Sequence, residues 1–176
     1  MLQPQVDVIS FAAYPDSHPN ISPRALIQSL LSKQSLLDAY GTRGCAVTQM
    51  CFDPSIIKAW LSSSRAAGFT SPVILGVPGP APLHKLLSVA TRIGVGESLR
   101  FITRGGAGVV AAVAGVHPTG QYDAAGVVRQ LCASDDAADI QGIHCFTFNA
   151  VADAVKWAGE ALRQNDAASM NNARQS

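Results

Sequence analysis

The stretch Val6-Asp7-Val8-Ile9-Ser10-Phe11-Ala12-Ala13-Tyr14-Pro15-Asp16-Ser17-His18-Pro19 decides the fold. Its first part, residues 6–11, is a short run rich in Val, Ile and Phe that does not alternate cleanly with polar residues. That pattern predicts a strand buried on both faces, as in a parallel sheet. The second part is a turn-rich loop carrying a tyrosine and a histidine. Beyond it Leu26, Ile27, Leu30, Leu31 and Leu37 make an apolar stripe over residues 24–39, which predicts a helix. Strand, polar loop and amphipathic helix form one βα unit.

The unit recurs. Apolar runs at 45–52, 73–77 and 143–148 share the same composition, and each is followed by a helical pattern. Asp53-Pro54 reads as helix cap and first helical residue, opening a helix through Ile56, Ile57, Trp60 and Leu61 that stops at Gly68. Leu83, Leu86, Leu87 and Ala90 mark the next helix, ending near Gly94. Val127, Val128 and Leu131 mark another, and Asn149 can cap a last one over 151–162. The predicted order is β-α-β-α-β-α-α-β-α, an α/β chain of parallel units. Right-handed crossovers make it either an open sheet or part of a (β/α)₈ barrel, and four strands are too few to close a barrel. Residues 1–163 read as the domain and 164–176 as a polar, disordered tail.

Composition narrows the class. The chain has 176 residues, of which 48% are apolar and only 14% charged, a sparse polar coat for a lone monomer. Some of its surface is therefore expected to be covered. A net charge of +1, with no basic cluster longer than two residues, gives nucleic acid no electrostatic footprint. The longest uncharged apolar run, within 107–116, is far short of the roughly 20 residues that span a bilayer. Met1-Leu2-Gln3-Pro4 lacks the order of a signal peptide, so the chain reads as cytoplasmic. Cys45, Cys51, Cys132 and Cys145 show no CxxC spacing and read as buried reduced thiols rather than a zinc site.

In either architecture the functional loops leave the carboxyl ends of the strands. Those ends offer Tyr14 and His18, then Gln49 and Asp53, then Pro78-Gly79-Pro80, then His144, Thr147 and Asn149. The set is polar and aromatic with little acid–base power: a surface for something flat and polar. Tyr14 either packs under its loop or meets a ligand. His18-Pro19 is a capped turn or a phosphate contact. Gln49, a long amide at the end of a buried strand, needs partners, because an unpaired buried polar group costs about 1–3 kcal/mol. His144 reads as a satisfied core histidine. Gly94-Val95-Gly96 and Gly105-Gly106-Ala107-Gly108 lack the strand–turn–helix setting of a dinucleotide loop and read as plain loops.

Four segments together resemble methylenetetrahydrofolate reductases. They are Ala12-Ala13-Tyr14-Pro15-Asp16-Ser17-His18-Pro19, Thr48-Gln49-Met50-Cys51-Phe52-Asp53, Ala66-Ala67-Gly68 with Pro72-Val73-Ile74-Leu75-Gly76-Val77, and Gly142-Ile143-His144-Cys145-Phe146-Thr147-Phe148-Asn149. They occur in that family's order across residues 6–162. The resemblance implies the last four strands of a flavin-dependent (β/α)₈ TIM barrel. That enzyme passes hydride from NAD(P)H through FAD to 5,10-methylenetetrahydrofolate, giving 5-methyltetrahydrofolate. By resemblance Tyr14 and His18 contact the flavin cofactor, Lys33 faces the FAD phosphates, and Gln49 contacts the folate substrate.

The family's first four strands carry its glutamate proton donor and an aspartate near the flavin ring, and neither strand set nor residues are found here. A half barrel of this kind is expected to self-associate or to join a complementary N-terminal half. Other departures are the lack of any acidic residue between Asp16 and Asp38, Val89 where the family offers a stacking phenylalanine, and Ala150 where an arginine often follows. They support a second reading, a non-catalytic ligand-binding or assembly module that retains the scaffold. A third reading is an unrelated open α/β sheet with a small-molecule site.

Overall fold

The computed structural model describes residues 6–93, 121–122, 124–132 and 140–173. Strands β1 (Val8–Ala13), β2 (Arg43–Thr48), β3 (Val73–Pro78) and β6 (Ile140–Phe146) form a four-stranded sheet in the order β1-β2-β3-β6. Every pairing is parallel. Helices α1 (Pro23–Ala39), α2 (Pro54–Ala66), α3 (Leu83–Ile93), α4 (Ala125–Cys132) and α5 (Val151–Ala173) link or follow the strands. Two further strands, β4 (Ala81–Pro82) and β5 (Gln121–Tyr122), pair antiparallel. At two residues each, they are too short to register in any periodicity.

The helix boundaries follow local chemistry. The Ser22 side chain accepts from the Ala25 N–H with Pro23 as first helical residue, and Asp53 does the same for Ser55 ahead of Pro54. Gly68, at φ 97°, takes the left-handed conformation just past α2 that a side chain resists. Several boundaries differ from expectation, β1 and β6 lying at Val8–Ala13 and Ile140–Phe146 rather than 6–11 and 143–148. β2 stops at Thr48, not residue 52, because Met50, Cys51 and Phe52 are buried in the loop and continue the apolar run without continuing the strand. Asn149 does not cap α5: it sits at φ 66° in a turn, and the helix begins at Val151 and runs on to Ala173.

The core lies on one face of the sheet. Ala13, Ala46, Val73, Leu75 and Val77 point into a single cluster with Leu30 of α1, Ile57, Trp60 and Leu61 of α2, Leu86 of α3 and Val127 and Leu131 of α4. That one-sidedness follows from strand order. When each parallel strand is laid beside its predecessor and the crossover keeps one hand, every helix lands on the same face. The opposite face carries Val8, Ser10, Ala12, Cys45, Val47, Ile74, Gly76, His144 and Phe146, by the period of two and the observed register. It is thinly covered: Val8, Ser10, Ala12 and His144 are exposed, and a Cβ added at Gly142 would meet nothing within 4 Å. β3 is buried on both faces as expected, whereas the outer strands β1 and β6 are largely exposed.

One side chain fixes the helix layer to the sheet. Gln34 of α1 accepts from the Thr70 N–H at 2.7 Å and the Ser71 N–H at 2.9 Å, and donates to the Gly68 carbonyl at 3.2 Å. The apolar run at 107–116 and the glycine clusters at 94–96 and 105–108 lie outside the described residues.

Candidate functional site

The carboxyl end of β1 runs into a loop whose shape is set by its own polar groups. The His18 carbonyl accepts from the Ile21 N–H, and its Nδ1 accepts from the Asn20 N–H at 3.2 Å. An Nδ1 that accepts leaves the proton of a neutral imidazole on Nε2, so His18 presents a donor outward. The Tyr14 ring meets His18 edge to face, with centroids 5.1 Å apart. Ser17 holds φ at 117°, a left-handed value costly for a residue with a side chain. Asp16 is buried, at 6% exposure, inside the same loop.

Gln49 stands beside this pair. Its backbone N–H donates to the Ala13 carbonyl at 2.7 Å, which ties the two strand ends together. One step past the last register pair, Ala13 with Thr48, Tyr14 and Gln49 both fall on the face away from the helices. The Gln49 Oε1 accepts from the Met50 N–H at 3.0 Å, and among the described residues its Nε2 is left to donate elsewhere. The rim thus offers the Tyr14 hydroxyl, the His18 Nε2–H and the Gln49 amide, a row suited to the oxygens and nitrogens of a flat polar ligand.

Where β2 and β3 separate, the Thr48 hydroxyl takes the place of a backbone acceptor and receives the Gly76 N–H at 2.8 Å. Gly76 has to be glycine, since a Cβ there would run into the Thr48 carbonyl and the Phe146 ring. At the far edge the Lys85 ammonium donates to the Phe148 carbonyl at 3.0 Å and holds the turn after β6.

Three sequence candidates are placed elsewhere. Lys33 lies on α1 with its ammonium 5.8 Å from the centroid of the Phe11 ring, on the helix side of the sheet. The Asp53 carboxylate is committed to the α2 cap, accepting from the Ser55 N–H and hydroxyl at 2.8 and 2.7 Å. His144 is not a core histidine: it is exposed on the uncovered face, edge-on to Phe146 at 4.8 Å. Asp16 is the rim residue that sequence reasoning passed over. Its burial gives no signal in a polar, proline-flanked stretch.

Nothing at the rim resembles an activated nucleophile. Cys45, Cys51 and Cys145 are reduced thiols outside any disulfide, and burial pushes the Cys145 thiol above its ordinary value, which keeps it protonated. Among the described residues no cluster of His, Cys, Asp and Glu could hold a metal ion. No described helix is long and apolar enough to cross a membrane. No protein-family model matches the sequence.

Proposed function

We propose that this chain is a methylenetetrahydrofolate reductase-like polypeptide: the last four βα units of a (β/α)₈ barrel, binding FAD and folate along the rim built by Tyr14, His18 and Gln49. The observation that carries the reading is the sequential parallel order β1-β2-β3-β6, with Tyr14 and Gln49 at adjoining strand ends on the side away from the described helices and His18 against Tyr14. In a closed barrel that side is the interior, and ligands sit at its carboxyl mouth.

The residues suit the group on one flank. Tyr14 and His18 supply an aromatic pair and two outward donors, fitting an electron-rich ring system or its phosphates. Gln49 supplies an amide within reach of a pterin edge. Lys33, held against Phe11, does not extend that row. Bound FAD would supply two-electron transfer from NAD(P)H to the methylene group of the substrate. The chain's own residues bind and orient, and the proton donor is a group outside the described rim.

The test is a titration of the purified chain with FAD, followed by quenching of flavin fluorescence. Tyr14→Ala is expected to weaken binding about tenfold, the loss of roughly 1.4 kcal/mol of ring contact. Absence of FAD binding, or an unchanged affinity in Tyr14→Ala, would remove the proposal. The commitment of Asp53 to its helix cap favours a second reading, a ligand-binding module without its own chemistry. Reduction of a dye by NADH in the FAD-loaded chain would exclude that second reading.

A further inference from the structure

The geometry points to a second copy of this chain as the cover for the sheet: two molecules, related by a two-fold axis parallel to the strands, close an eight-stranded barrel through two β6–β1 seams. The inference rests on strand order and exposed surface, whatever ligand the rim holds.

A sheet laid down in sequence has β1 at one margin and β6 at the other, both pointing the same way. A two-fold axis along the strands sets β6 of each copy beside β1 of the other, parallel, and four strands from each copy make the eight that close a filled barrel. Neither edge strand carries a block to pairing in its own sequence. β1 reads Val-Ile-Ser-Phe-Ala-Ala and β6 reads Ile-Gln-Gly-Ile-His-Cys-Phe, with no lysine, no carboxylate and no proline. Edge strands that stay unpaired normally carry such blocks.

Among the described residues, exposed large apolar side chains gather toward these margins, with Val6, Ile21 and Tyr40 in the segments around β1 and α1. Val8 and Ile9 of β1 and Leu36 of α1 flank one, while Ile143 of β6 and Val151 and Val155 of α5 flank the other. None lies on α2 or β3 in the middle. The helix flanks also match. Gln34 reaches the turn after α2, so that side of α1 faces α2. The other side carries a shallow groove of about 400 Å³ lined with Ser22, Arg24, Ala25, Gln28, Ser29 and Ser32. On α5, Ala154 faces the core, and a constant crossover hand turns Val151 and Val155 outward past β6. Closure of the barrel sets Val151 and Val155 of one copy beside the α1 flank of the other.

The area suffices. A face of four strands spaced ~4.8 Å and ~20 Å long covers about 400 Å², and two seam walls ~10 Å deep bring each copy to about 800 Å², the usual share of a stable dimer.

Sedimentation equilibrium tests this, with two proline variants. The Ala13 carbonyl is bonded to β2 and the Phe146 carbonyl to the residue after β3, so the N–H groups of Ala12 and Ile143 face the free margins. Ala12→Pro and Ile143→Pro each remove a seam donor while sparing the ladders within the chain. The wild-type chain is expected at twice 18.3 kDa. Each variant alone should dissociate at least tenfold more readily, with unchanged far-ultraviolet circular dichroism. A mixture of the two should regain dimer, because β6 of one variant and β1 of the other restore one intact seam. A cooperatively folded wild-type monomer would overturn the inference, and so would oligomers that grow with concentration. Dissociation by only one variant, the sign of an edge pairing with its own counterpart, or a mixture that stays monomeric, would overturn it too.

Discussion

Thr48 substitutes for backbone at the one place where β2 and β3 part, and its side chain is 1% exposed. Thr48→Val keeps the shape and strands the Gly76 N–H in a dry site. Urea unfolding is expected to show a loss of about 1–3 kcal/mol, with Thr48→Ser close to wild type. The rim was legible at this scale to different degrees. Tyr14, His18 and Gln49 were chosen by one rule, that loops leaving parallel strands carry functional side chains, and the register places Tyr14 and Gln49 on one face. Lys33 was not legible, because helix phase alone does not say which ring an ammonium meets. His144 was misjudged because a strand without alternation reads as buried on both faces, and β6, at the margin of the sheet, is largely exposed.

The helices begin where their caps dictate. Asp53 accepts two hydrogen bonds at the start of α2, the helix that contributes Ile57, Trp60 and Leu61 to the core. Asp53→Ala is expected to cost about 1 kcal/mol in chemical denaturation, and Asp53→Asn only a few tenths. An equal loss in both variants would mean that charge, rather than the acceptor, supports the helix. Element types along the described chain were readable because 3.6-residue stripes and short apolar runs are distinct signals. Boundaries were less so. Met50, Cys51 and Phe52 are as buried as any strand residue, and a hydrophobic pattern reports burial, not hydrogen bonding. The β4–β5 pair depends on contact between segments far apart in sequence, which no local window contains.

For the molecule as a whole, strand order is the governing fact. Among the described residues, a sheet wound in one direction leaves a face and two margins with no helix over them. If a second copy supplies the cover, stability depends on protein concentration: a tenfold dilution should lower the melting temperature by roughly 2–4 °C, and a dilution-independent transition would speak against assembly. The order also sets a timetable for folding. β1, α1 and β2 pair within the first 48 residues, and Gln34 then clasps the turn before β3. β6 must wait for roughly 60 more residues after β3, a loop closure that slows folding. During synthesis the chain therefore emerges as a three-stranded sheet with the β3 margin open. Its last strand arrives late, at an edge that any passing strand could claim.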